Sequence, residues 1–146
     1  MAAPADCAFC RIAAEALPAH VVYRDPALIA FLDDRPLFPG HVLLCPREHY
    51  PTLLDLPSEL SGTTMAALQL LAKAVESALD AEGTFIAINN RISQSVPHLH
   101  IHIVPRRRRD GLKGFFWPRH SYKDEAAKEA VRDAIEREVR KWTNLL

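Results

Sequence analysis

Over residues 97–104 the chain reads Pro97-His98-Leu99-His100-Ile101-His102-Ile103-Val104, histidines and apolar residues in strict alternation. A period of two belongs to a β-strand, whose successive side chains stand on opposite faces. Leu99, Ile101 and Ile103 are therefore expected to enter a core, with His98, His100 and His102 in a row on the other face. Three of the chain's seven histidines fall within these five residues. Adjacent imidazoles compete for hydrogen-bonding partners and repel one another when charged, so packing alone explains the row poorly.

Geometry limits what such a row can do. Side chains two apart on a strand sit about 6.5–7 Å apart, and those four apart about 13 Å. Neighbouring rings can converge on one zinc ion at about 2.0–2.1 Å, but the outer pair cannot join them from a flat strand. Separate tasks follow: one ring as nucleophile or base, flanked by rings that orient it, bind an anion or hold a separate metal.

A chain of 146 residues is expected to form one domain, residues 1–146, with a core that needs no disulfides. Its 18 basic and 18 acidic residues cancel, so no whole-molecule field favours nucleic acid or an anionic membrane. Residues 1–6 lack the basic and apolar regions of a signal peptide, and no apolar run reaches membrane-spanning length. A cytoplasmic location is the expectation. Cys7-Ala8-Phe9-Cys10 has the spacing of a zinc-binding or redox pair, and Cys45 reads as a small core residue.

Residues 11–17 read as a short helix stopped by Pro18, and residues 20–24 and 27–32 as strands joined at Asp25-Pro26. Residues 33–40 are irregular, with two prolines and a glycine, and a third strand over 41–45 is ended by Pro46. Three β runs before any long helix argue for an antiparallel sheet. Residues 58–79 form the central helix, which Ser58 can cap, with Gly83 suited to the left-handed position beyond it. Residues 84–88 are apolar on both faces and so are expected at the sheet's centre, and residues 89–96 form a polar loop. Arg106-Arg107-Arg108-Arg109 could hold phosphates or nucleic acid, but with zero net charge a solvated turn is preferred. Residues 124–142 form an amphipathic helix expected to contribute stability. Its apolar side runs through Val131, Ile135, Val139 and Trp142, with charge pairs such as Glu136/Arg140.

The run from His98 to Val104 resembles the signature of the histidine triad proteins, His-φ-His-φ-His-φ-φ, in which φ is apolar. Further matches at residues 7–12, 31–34, 40–46 and 94–96 extend the resemblance over about residues 6–110, leaving a helical tail at 111–146. Gly114-Phe115-Phe116-Trp117-Pro118-Arg119 looks like the tail of some bacterial, Hint-like members. The resemblance implies an α+β fold: an antiparallel sheet of about five strands, a long central helix and a C-terminal helix. It also implies a homodimer.

Family members are nucleotide hydrolases and transferases whose middle histidine attacks phosphorus. By resemblance His100 becomes nucleotidylated, His102 hydrogen-bonds near the phosphate, and Gln94 and Ser95 contact phosphate and leaving group, although Ser93 replaces the usual glycine. Asn89, in preference to Asn90, takes the phosphate-contacting amide position. Phe9, Ile12, Phe31, Leu32, Asp33, Asp34 and Leu43 match the nucleoside pocket, with Asp33 able to accept both ribose hydroxyls. Cys7, Cys10, His49 and His98 match a structural zinc site in bacterial members, and no metal is needed for the chemistry. The implied substrate is a purine nucleoside 5'-phosphoramidate or related adenylate. The alternatives are a dinucleoside polyphosphate, a nucleotide-binding adaptor with feeble turnover, or nucleic acid held by the arginine run.

Overall fold

Turn-forming residues divide the apolar runs into short strands. In the first tight turn, Asp25 Oδ1 accepts the N–H groups of Ala27 and Leu28, both at 2.8 Å, and reverses the chain between two strands. The computed structural model describes residues 4–113 and 119–143. In order come α1 (Ala8–Ala13), β1 (Val21–Arg24), β2 (Leu28–Leu32), β3 (Val42–Pro46), α2 (Ser61–Leu79), β4 (Gly83–Ala87), β5 (Ile101–Arg106) and α3 (Glu125–Thr143). The strands form one antiparallel sheet in the order β1-β2-β3-β5-β4. The chain divides into two compact units, Met1–Asp110 and Gly111–Leu146.

Strands β2 and β3 are covered on both faces, which is why they read as unbroken apolar runs. On one face Leu28, Ala30, Leu44, Ile101 and Ile103 pack against Ala67, Leu68, Leu71 and Val75 of α2. On the other, Ile29, Phe31, Leu43 and Cys45 meet Phe9, Ile12 and Ala13 of α1. The sheet is thus held between a long helix and a short one, and α1 brings the cysteine pair onto the histidine side.

Several sequence expectations are corrected. Strand β4 lies at the sheet edge, and Ile86 is 43% exposed. The ladder of β5 begins at Ile101, because β3 no longer pairs with the chain before it. There Leu99 N–H turns to Tyr50 O at 2.7 Å. Pro46 is the last residue of β3, paired with Leu28. Ser58 does not cap α2; it opens a 3₁₀ turn, Ser58–Leu60, ahead of the helix. Asp80, at φ 50°, takes the left-handed position assigned to Gly83, which starts β4 instead.

The arginine run closes onto acidic and carbonyl partners. Arg106 forms a fork on Asp110 at 2.6 and 3.0 Å, Arg107 donates to Leu79 O, and Arg108 N–H donates to Glu82 at 2.7 Å. Helix α3 has the expected amphipathic pattern and the Arg140–Glu136 pair at 2.7 Å, yet none of its described residues is buried. The Gly114-to-Pro118 part of the aromatic tail lies outside the described residues. Among the described residues no helix is long and apolar enough to cross a membrane.

Candidate active site and metal centre

Two loops deliver the site's histidines. Gly40 has φ 97°, and a Cβ there would lie 2.8 Å from Leu79 Cγ, so only glycine turns this loop against the end of α2. The next residue, His41, is buried immediately ahead of β3. The register then sets Leu43 opposite His102 and Leu44 opposite Ile101. His98, His100 and His102 thereby face the α1 side, and the rings of His100 and His102 lie 5.0 Å apart. Phe9 of α1 stands edge-on to His100 at 5.1 Å and to His98 at 5.9 Å, wedged between the two.

The three rings differ in their partners. His98 Nε2 donates to Pro46 O at 2.7 Å, which leaves Nδ1 bare toward Cys7, Cys10 and His49. His100 Nδ1 donates to the carbonyl of His98, also at 2.7 Å. A carbonyl only accepts, so the proton of neutral His100 sits on Nδ1 and the lone pair on Nε2. His102 Nδ1 lies 2.9 Å from His41 Nε2. Burial, then the neighbouring His100 and His41, pull the His102 pKa down to about 4, and burial lowers that of His41 as well. Both rings are neutral at neutral pH.

A cavity of about 430 Å³ opens in front of His100 and His102. It is lined by Phe9, Ile12, Phe31, Leu32, Asp33, Asp34, Leu43 and Ser95, all of them singled out by sequence, together with Leu17, Pro18, Ala19 and Arg35, which were not. The apolar residues form walls suited to a flat base, while Asp33 and Asp34 supply carboxylates at the rim. Asp33 Oδ1 accepts Arg35 N–H at 2.9 Å. Gln94, Asn89 and Asn90 are not among the lining residues. Gln94 donates to Pro51 O at 2.6 Å and accepts Arg91 N–H at 2.9 Å, holding its own loop. Asn90 accepts Leu53 N–H at 3.1 Å.

Beside the row of histidines, Cys7, Cys10, His49 and His98 bring four ligand atoms within 4.8 Å of one another. Cys10 Sγ lies 3.4 Å from Nδ1 of both His49 and His98, Cys7 Sγ is 3.5 Å from His98 Nδ1, and the two Nδ1 atoms are 3.3 Å apart. Ligands at tetrahedral zinc distances are separated by about 3.3–3.8 Å along the tetrahedron's edges. The donor set and spacing therefore fit a closed tetrahedral ion, and the Pro46 carbonyl fixes the His98 tautomer that ligation requires. Burial and the Cys7 contact push the metal-free Cys10 thiol up to about 11, so a cation is what would make it a thiolate.

His41 is the residue sequence reading passed over. Its only local signal is a histidine opening an otherwise apolar strand, and its contact with His102 spans 61 positions.

Comparison with known proteins gives consistent matches. A family model described as HIT domain matches residues 14–109. The chain is 35% identical over 109 residues to adenylylsulfatase HINT3 of Arabidopsis thaliana, covering 73% of this chain and 55% of that protein, so it spans about half the plant relative's length. The crystal structure of SMU.412c from Streptococcus mutans superposes with a TM-score of 0.84 at 31% identity, covering 94% of this chain and 87% of that one. A zinc-bound histidine triad family protein from Mycobacterium smegmatis gives a TM-score of 0.70 at 34% identity, covering 93% and 97% of the two chains.

Proposed function

This chain belongs to the HIT domain family, and we propose that it cleaves purine nucleoside 5'-phosphoramidates or related adenylates through a nucleotidyl-His100 intermediate. The observation that carries this reading is the His100 Nδ1 bond to the His98 carbonyl, which leaves the Nε2 lone pair for attack at the cavity. In the first step Nε2 bonds to the α-phosphorus. The phosphorus–nitrogen bond breaks, and its electron pair leaves with the amine, which takes up a proton. In the second, water attacks phosphorus, the histidine–phosphorus bond breaks, and the nucleoside monophosphate is released with the lone pair restored to Nε2. Ser95 at the cavity rim is the donor to the departing group, and His102 supports the charge developing on the phosphoryl oxygens. Phe9, Ile12, Phe31 and Leu43 hold the base, and Asp33 the ribose.

An adenylate with a sulfate leaving group is the second reading, favoured by the similarity to the plant adenylylsulfatase. The attack is the same and only the leaving group differs. Cys7, Cys10, His49 and His98 would hold zinc, which fixes the N-terminal segment and His98 and takes part in no step. Among the described strands β4 is outermost and Ile86 is exposed, and a second copy extending the sheet there would give a homodimer.

A single-turnover reaction with a radiolabelled adenosine phosphoramidate tests the nucleophile. Label should be trapped on the wild-type chain on acid quench and be absent from His100→Ala, whose nucleotide affinity is nearly unchanged. His102→Ala should slow the reaction less severely. An alanine variant of His100 that keeps more than a few per cent of the rate would remove the ring from the chemistry.

A further inference from the structure

We propose that Cys10 is an oxidation site for hydroperoxides: it closes onto Cys7 as a disulfide, releases the metal and frees α1, the helix that also walls the nucleotide cavity. The oxidation belongs to the two sulfurs alone, while its effect on ligand binding rests on the nucleotide reading of the cavity.

The two cysteines differ in access. Cys7, the residue just before α1, is 7% exposed, whereas Cys10 is only partly buried. Cys10 lines a second cavity, of about 630 Å³, together with Ala13, Ala14, Pro26, Arg47 and His49. Among the described residues none lines both this cavity and the one in front of His100. Helix α1 stands between them, with Phe9 and Ile12 on one and Cys10 and Ala13 on the other. A small oxidant therefore reaches Cys10 without entering the nucleotide cavity.

Cys7 is placed to finish the reaction. Its Sγ accepts Cys10 N–H at 3.5 Å, and both sulfurs approach one atom, His98 Nδ1, at 3.5 and 3.4 Å. The sulfurs lie within 4.8 Å of each other. Positions three apart at a helix start stand about 5 Å apart at Cα, inside the range of about 4.4–6.8 Å that a disulfide spans. Cys45, the third thiol, is 1% exposed in the layer under α1 and is not part of the ligand cluster.

A bound cation holds both sulfurs as thiolates, the form that attacks peroxide. Cys10 Sγ bonds to one oxygen of hydrogen peroxide, the O–O bond breaks, and the departing oxygen takes up a proton as water. Cys7 Sγ then attacks Cys10 Sγ. The S–S bond forms, the S–O bond breaks, and the hydroxide leaves as a second water after taking a proton. Two electrons pass from sulfur to peroxide. His49 and His98 remain as two imidazoles, too few to close a tetrahedral ion. The first turn of α1 thereby loses its sulfur contacts with both rings. Arg47 still holds the far end of the helix through Ala13 O at 3.2 Å, so α1 loosens at its start without detaching.

The test treats the full, zinc-loaded chain with hydrogen peroxide. Zinc is read with a chromogenic chelator, disulfides by peptide mass mapping, and affinity for adenosine monophosphate by calorimetry. The wild type should release its zinc, link Cys7 to Cys10, and bind the nucleotide ~3- to 10-fold more weakly, since a loosened cavity wall must be reordered on binding. Dithiothreitol with added zinc should restore all three. Dimedone present during oxidation should label Cys10 in preference to Cys7, and Cys45→Ala should respond as the wild type does. A disulfide that recruits Cys45, preferential label on Cys7, or zinc and both thiols kept at doses that oxidise free cysteine would each overturn the proposal. So would an unchanged nucleotide affinity once the disulfide has formed. A chain that takes up no zinc would fail the metal reading instead; glutathione disulfide on that chain then decides the pairing, a Cys7–Cys10 link supporting it and any other product overturning it. A reduced chain that binds no adenosine monophosphate would count against the nucleotide reading and not against the oxidation site.

Discussion

Stripping metal from the cysteine–histidine cluster should loosen the fold and the nucleophile by separable amounts. Cys10 is the informative ligand, because its Sγ lies 3.4 Å from Nδ1 of both His49 and His98 and so joins three separate chain segments. A native-state ligand present at about 100 times its dissociation constant stabilises the fold by about 2.7 kcal/mol. The unit Met1–Asp110 should unfold with an entropy of about 0.23 kcal/mol/K, at about 2.1 cal/mol/K per residue. Losing the metal is therefore expected to lower Tm by about 12 °C without unfolding the chain, because the apolar layers on both faces of the sheet remain.

The chemical step should suffer less. His98 keeps its bond to Pro46 O when the ion leaves, and its carbonyl still receives His100 Nδ1–H, so kcat should fall about tenfold, the low end for an outer partner of a reacting group. Calorimetry of the chelated protein and of Cys10→Ser, alongside atomic-emission counting of zinc per chain and single-turnover rates, separates the two effects. Protein purified without chelator or metal resin should carry about one zinc per chain. A zinc-free preparation with full activity and an unchanged Tm on chelation would show that the four ligand atoms meet without a metal, and the reasoning would fail.

Ser95→Ala should lower kcat more than it raises KM, and more for poor leaving groups than for good ones; equal losses across a leaving-group series would remove Ser95 from the chemistry. Acid should destabilise the fold through the buried rings. An unfolded chain protonates His102 and His41 near pH 6.5, while folded His102 stays neutral down to about pH 4. Stability from this source is present above pH 6.5 and is lost as pH falls from there toward 4, so urea midpoints should drop in that window and drop less in His102→Asn. A variant as acid-sensitive as the wild type would show that other groups set the slope.

The fold was legible wherever a local pattern had one physical solution. Alternation running on to Val104, the Asp25-Pro26 turn and the proline-rich loop before Gly40 each act within a few residues, and strands and turns follow from them, although the ladder of β5 begins only at Ile101. Strand order is different in kind. Phe85 and Ile86 are apolar, and nothing in residues 83–87 distinguishes a central strand from an edge that a partner could cover; the strand order, with β5 as its neighbour among the described strands, puts β4 outermost. Helix ends were misjudged for the opposite reason, since local preference was overruled. Asp80 accepts a positive φ that glycine would take more easily, and the chain is held there by its N–H bonds to Ser77 O and Glu76 O and by Arg107 on Leu79 O.

The same division runs through the site. The three histidines and the cysteine pair stand out in the string by type and spacing, and the fold brings them together on the α1 side of the sheet. Direction is not written in the string. Gln94, matched by resemblance to a phosphate contact, has its amide turned to Pro51 O and Arg91 N–H. His41 has no neighbouring motif, yet one backbone amide, Leu37 N–H, determines which of its nitrogens can reach His102. A tautomer is the property of a ring and all its partners, and those partners come together only when β3 and β5 pair. Sequence can therefore nominate a histidine for chemistry, while the assignment of attacker and donor among several histidines waits on the hydrogen-bond polarity that the fold imposes.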